Sequence, residues 1–152
     1  MNVKIWISDV VSELFRGGRG PIPDLVIFSP DIAGDFRRRN YANTLRRMLL
    51  AAEIKVSERF QGRLQAGEIR KDILKLEALR IEAQSREADL VPAVIIVDTA
   101  PEEIERMGSW TLTEVRDAAS SRGVCFFYLS PEDEFFDIPE GFGHPQRDLT
   151  SG

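Results

Sequence analysis

A single cysteine, Cys125, and a single histidine, His144, stand in a chain of 152 residues. One thiol excludes an intrachain disulfide framework and a multi-cysteine zinc site, and one imidazole argues against a histidine-rich metal centre. No apolar run approaches the roughly 20 residues that a membrane helix needs. The opening Met1-Asn2-Val3-Lys4-Ile5-Trp6 lacks a basic segment followed by a long apolar stretch. No secretory signal is therefore expected, and the expected compartment is the cytoplasm. Positive charge is also in deficit: 20 Lys and Arg against 25 Asp and Glu leave a net charge of −5. That disfavours a protein that binds nucleic acid by bulk electrostatics alone. It does not exclude a nuclease, because acids that serve a metal count against the total until the metal binds.

What is present suits one ordinary domain with one core. The expected division is a single domain over 1–130 and an irregular tail over 131–152, where Pro131, Pro139, Pro145 and several glycines interrupt any pattern. The basic residues gather early, in Arg37-Arg38-Arg39 and Arg46-Arg47, and the acids later, in Glu102-Glu103-Ile104-Glu105 and Glu132-Asp133-Glu134.

Hydrophobic periodicity sets the expected elements. Val3, Ile5 and Ile7 alternate like a short strand, after which Ser8 or Asp9 could cap a helix to Phe15; one longer helix is the alternative. Strands are expected over 24–29 and 48–57, with a loop and a basic connection, helical or irregular, between them. A long amphipathic helix over about 68–87 has Ile69, Ile73, Leu76, Leu79 and Ala83 on one face. Ala93-Val94-Ile95-Ile96-Val97 reads as a strand buried on both faces. Pro101 opens a short helix to about Met107, Thr111 or Thr113 opens another to Ser121 closed by Gly123, and residues 124–129 form a last strand. The order implies an α/β fold: a mixed central sheet flanked by helices, antiparallel between the first two strands and parallel after the helical crossovers.

Two patches concentrate charge on strands, where burial without a partner is expensive. One is Pro23-Asp24 heading Leu25-Val26-Ile27-Phe28. The other is Glu53-Ile54-Lys55 inside Leu49–Val56. A period of two places Glu53 and Lys55 on one face and Ile54 on the other. Paired strands would bring Asp24, Glu53 and Lys55 together. Two carboxylates and an ammonium at one point could hold a divalent cation and act on a phosphodiester.

In their order and context these residues resemble the PD-(D/E)xK nuclease superfamily, whose fold is restriction-endonuclease-like. The aspartate maps to Asp24, the acidic-x-Lys triplet to Glu53-Ile54-Lys55, the following helix to 68–87 and the next strand to 92–98. The resemblance covers roughly residues 8–98. Its 29-residue interval between Asp24 and Glu53 is long for a hairpin and requires an insertion over 30–47. The resemblance implies a metal-dependent nuclease hydrolysing DNA, with Mg²⁺ or Mn²⁺ held by Asp24, Glu53 and the backbone carbonyl of Ile54. Lys55 would orient water or stabilise charge. Glu13, on the first helix, would be a further acid, with Asp9 competing for that place. A homodimer is expected for two-strand cleavage, and no membrane.

Each residue also has a plainer reading. Asp24 could simply begin a strand, and Glu53 and Lys55 could decorate an edge. Arg37, Arg38, Arg39, Arg46 and Arg47 could contact a DNA backbone or form a solvated face. Lys71 and Lys75 could reach a phosphate or pair with Asp72 or Glu68 on a solvated face. Cys125 reads as a core thiol, Trp6 and Trp110 as core or interface anchors, and Asp98 as a capping residue. The competing function is a catalytically inactive module of the same fold that binds nucleic acid or protein.

Overall fold

The computed structural model describes residues 23–32, 41–57 and 63–142. The chain forms β1 (Leu25–Phe28), α1 (Tyr41–Arg46), β2 (Met48–Ser57), α2 (Ala66–Gln84), β3 (Val91–Asp98), a 3₁₀ turn (Glu103–Glu105), α3 (Ser109–Ser121), β4 (Cys125–Leu129) and β5 (Glu134–Asp137). The five strands make one sheet in the order β1-β2-β3-β4-β5. β1 is antiparallel to β2, β2, β3 and β4 run parallel, and β5 returns antiparallel to β4. This is the expected mixed α/β sheet. No described helix is long and apolar enough to cross a membrane.

The core lies on one face of this sheet. Ala51, Val94, Ile96, Phe126 and Tyr128 meet Ile69, Ile73, Leu76 and Leu79 of α2, Val115 and Ala119 of α3, and Leu45 of α1. Every described helix therefore packs on that face. The opposite face holds a smaller cluster of Ala52, Ala93 and Cys125. Around it Leu25, Ile27, Ile54, Val56 and Phe136 are exposed among the described residues. Pro92 sits one residue before β3 begins to pair with β4, where a missing N–H costs least. α3 ends at Arg122 and Gly123, whose φ of 65° is a left-handed value that a side chain would strain.

Two expectations are corrected. The helix expected over 101–107 is only the Glu103–Glu105 turn. Asp98 accepts the Met107 N–H at 2.7 Å, and Arg106 donates to the Ala100 carbonyl at 2.7 Å, so side chains hold this segment as a loop. Nor is 131–152 irregular throughout, because Glu134–Asp137 is β5. A tight turn starts it: the Ser130 N–H donates to the Asp133 carbonyl and the Asp133 N–H to the Ser130 hydroxyl. Arg116 of α3 then pairs with Asp137 and lies 4.8 Å above the Phe135 ring. Four residues are too few for alternation to announce a strand; the turn and the arginine supply what the pattern lacks.

Phe126 is fully buried, whereas Phe136 is 53% exposed. Phe126→Ala should cost about 3–5 kcal/mol and Phe136→Ala well under half of that. Urea unfolding with unchanged m-values checks the contrast; equal losses would contradict this placement of the core.

Candidate active site

β1 begins at Leu25 opposite Ala52. One further step of that register sets Asp24 across from Glu53. Asp24 ends the ladder with its side chain: Oδ2 accepts the Ile54 N–H at 2.8 Å, taking the place of a strand carbonyl. Ile54 points to the face opposite the helices, while Glu53 and Lys55 share the helix face with Ala51. α2 starts above the C-terminal end of β2 and runs back over it, so its second turn meets Lys55.

The residue it brings is Asp72. It is 3% exposed and lies within the buried stripe of α2, between Ile69 and Ile73. Lys55 Nζ is 2.8 Å from its Oδ2, an ion pair off the hydrogen-bonding direction, and Lys75 Nζ donates to Oδ1 at 2.8 Å. One buried carboxylate thus holds two ammoniums. Removing either lysine leaves Asp72 with the other, and only the loss of both leaves a buried charge uncompensated, at roughly 3–5 kcal/mol.

Glu53 is 5% exposed, and its carboxyl is pushed up to about 7. Burial is the largest cause, followed by the charges of Asp72 and Asp24; Lys75 pulls the other way, and a hydrogen bond shared with Asp24 adds to the rise. Lys55 moves in the cationic direction: its bond to Asp72 holds its pKa above the usual value against the opposing effect of burial. Between depression by burial and support by carboxylates, the carboxylates win. Lys55 is therefore a charged donor, unsuited to accepting a proton near neutrality.

The structure brings together Asp24, Glu53, Ile54, Lys55 and Lys75 from the residues expected at the site. Lys75 pairs with Asp72, as its plainer reading had it, but Asp72 is itself bound to Lys55, so the pair belongs to the cluster. Lys71 is exposed on α2, with no described contact to these acids. Arg46 and Arg47 lie at the other end of the β1–β2 hairpin, roughly 20 Å of strand from Glu53, and Arg47 pairs with Asp31. Glu13, Arg37, Arg38 and Arg39 fall outside the described residues. Asp72 was the residue missed, and a signal existed: it is three positions past Ile69 and four before Leu76, a core position by helical spacing.

Two other expectations resolve away from the cluster. Cys125 is buried, and burial pushes its thiol up, as a core residue requires. Asp98 is fully buried and binds the Met107 N–H and the Tyr128 hydroxyl at 2.7 and 3.0 Å. It caps the loop before α3.

No protein-family model, curated protein or solved structure matches the chain. The site's chemistry therefore stands on its own geometry. Among the described residues no group of three or more acidic, histidine or cysteine side chains is arranged to hold a metal. A complete protein cage is thus absent from them. The adjacent carboxyls of Asp24 and Glu53 do fit Mg²⁺ or Mn²⁺, hard cations that commonly take one or two carboxylates and keep several waters.

Burial and the neighbouring acids together raise the Glu53 pKa, and the shift has a sign for stability. Glu53 binds its proton more tightly folded than unfolded, so its contribution is full below about 4.5 and lost as pH rises through about 7. Without divalent cations, Glu53→Gln should be more stable than wild type at pH 8, with the gap narrowing towards pH 5. Thermal melts of both proteins across that range check this; a gap independent of pH would contradict the assigned pKa.

Proposed function

We propose that the chain is a metal-dependent nuclease of the PD-(D/E)xK kind, hydrolysing phosphodiester bonds in DNA. The observation that carries this reading is the convergence of Asp24 and Glu53 from neighbouring antiparallel strands beside Lys55. The element order supports it: an acid-bearing hairpin, a helix over the same face, then a strand parallel to the second. That order is compatible with a restriction-endonuclease-like arrangement.

Asp24, Glu53 and the Ile54 carbonyl would hold Mg²⁺ or Mn²⁺. When bound, the ion supplies an activated water and neutralises charge on the phosphoryl oxygens. The protein's own groups do the rest. The bond from Ile54 N–H to Asp24 Oδ2 fixes the aspartate against β2 and so sets its position relative to Glu53. Lys55, kept cationic, donates to a phosphate oxygen or orients the attacking water, and stabilises negative charge as it develops. Asp72 holds Lys55 in place through an ion pair, and Lys75 balances the charge of Asp72. Lys75 stands half-exposed at the rim, where it can meet a phosphate once one arrives. One such site cuts one strand; cleavage of both strands calls for a second copy of the chain.

Incubation with plasmid DNA and Mg²⁺ or Mn²⁺ should give nicked and linear products. Asp24→Ala, Glu53→Ala and Lys55→Ala should each lower the rate by about 100-fold or more, and chelation should abolish cleavage. Activity that survives all three substitutions would remove the assigned site. Absence of cleavage with retained binding at low salt would favour a non-catalytic module.

Asp72→Asn offers a finer test. It should lower cleavage by about 10- to 100-fold, chiefly in the catalytic step, with DNA affinity little changed. Equal loss of affinity and rate would place Asp72 outside this role.

A further inference from the structure

No described helix packs on the sheet face opposite α2 and α3. Register defines that face row by row. Ile54 pairs with Ile95, Ile95 with Phe127, and Phe127 with Phe136, the two rings 5.8 Å apart. The next row is Val56, Val97 and Leu129, and it ends at Glu134. Among the described strands, Glu134 at that corner is the one charged side chain on this face. Yet Ile54, Val56, Leu129 and Phe136 are all exposed. Monomers seldom leave an apolar patch of more than a few hundred Å² to water. β3, in the middle, has the composition of a strand covered on both sides.

The chain carries one segment with the composition of a cover. Four stretches lie outside the described residues: 1–22, 33–40, 58–62 and 143–152. The last three each hold a single large apolar residue, Phe36, Phe60 and Leu149 respectively. Residues 3–15 alone hold eight, Trp6 and Phe15 among them, against three charges. Even wound as a helix, a stretch of that length extends roughly 20 Å. Five strands at their usual spacing are roughly 19 Å across. Position agrees with length. The segment joins the sheet at Pro23, two residues before Leu25, whose side chain lies on this face beside Ala52. Gly17, Gly18 and Gly20 let the chain turn back between Phe15 and Pro23. So short a tether gives an effective concentration on the order of mM, which a second copy of the chain does not match in dilute solution.

We infer that residues 1–22 cover the apolar sheet face, with Trp6 seated on its rows of aliphatic and aromatic side chains. The cover leaves the helix face untouched, with Asp24, Glu53 and Lys55 on it. The inference is independent of the nuclease reading.

Trp6 reports the contact in the full chain. Trp110 is 81% exposed, and Trp110→Phe leaves Trp6 as the only tryptophan. In this parent protein Trp6 should emit at shorter wavelength than in urea and resist quenching by acrylamide, to the same degree at every protein concentration. Ile54→Asp, in the middle of the face, should return Trp6 to the water-exposed emission while the protein still unfolds cooperatively in urea. Leu14→Asp should do the same. Ile104→Asp, at an exposed apolar residue away from this face, should leave Trp6 protected. If Ile54→Asp fails to fold, Leu14→Asp decides against Ile104→Asp, because it alters no strand of the sheet. Trp6 open to acrylamide in the parent, or still protected after Ile54→Asp, overturns the inference. So does protection that appears only as concentration rises while light scattering gives twice the chain mass; a second copy is then the cover.

Discussion

A carboxylate buried on the apolar face of α2 organises the candidate site of this molecule. Asp72 would be costly there alone. It persists because Lys55 from β2 and Lys75 from α2 both reach it at 2.8 Å. The consequence runs outward along the sheet. Lys55 is held charged and oriented, α2 is tied to β2 at the level of Glu53, and Glu53 is left beside two acids with its own proton retained to about pH 7. The cluster is unbalanced in one specific sense: its positive charge is committed to Asp72, while Asp24 and Glu53 face each other with little. A divalent cation is the species proposed for such a pair.

The sheet explains why these groups meet at all. Antiparallel pairing of β1 and β2 carries Asp24 to Glu53 across a long sequence interval, and the parallel step from β2 to β3 requires a crossover, which is α2. Its course back over β2 is what brings a helix residue onto a strand residue. Register and crossover together build the site, with Asp24 supplied by the residue just ahead of β1.

Much of this was legible in the residues. β2 falls on the apolar run of 48–52 and the alternation that follows it, although Ala51, Ala52, Glu53 and Lys55 are poor strand formers; α2 and β3 follow from helical spacing and from a β-branched run. Asp24, Glu53 and Lys55 were visible because charge on a strand is anomalous. Asp72 was harder to see because charge on a helix is ordinary, and only its place in the stripe betrays it. β5 and the 3₁₀ turn were missed because side chains distant in sequence define them: Arg116 on Asp137, Asp98 on Met107. Of the two roles read for Trp110, core or interface anchor, its 81% exposure removes the core one, because helix position decides which side chains face the core. The arginines at 46 and 47 looked like part of a DNA surface, and the hairpin carries them to the end away from the acids.

The central proposal is that Asp24 and Glu53 share one divalent cation, which would displace the proton that Glu53 otherwise keeps to about pH 7. Calorimetric titration of the protein with Mn²⁺ at pH 6, in buffers of different ionisation enthalpy, tests it most directly. Binding should release close to one proton per ion, and Glu53→Gln should lose both the proton release and most of the affinity. Binding of Mn²⁺ with no proton released, or with equal affinity in Glu53→Gln, would contradict the account.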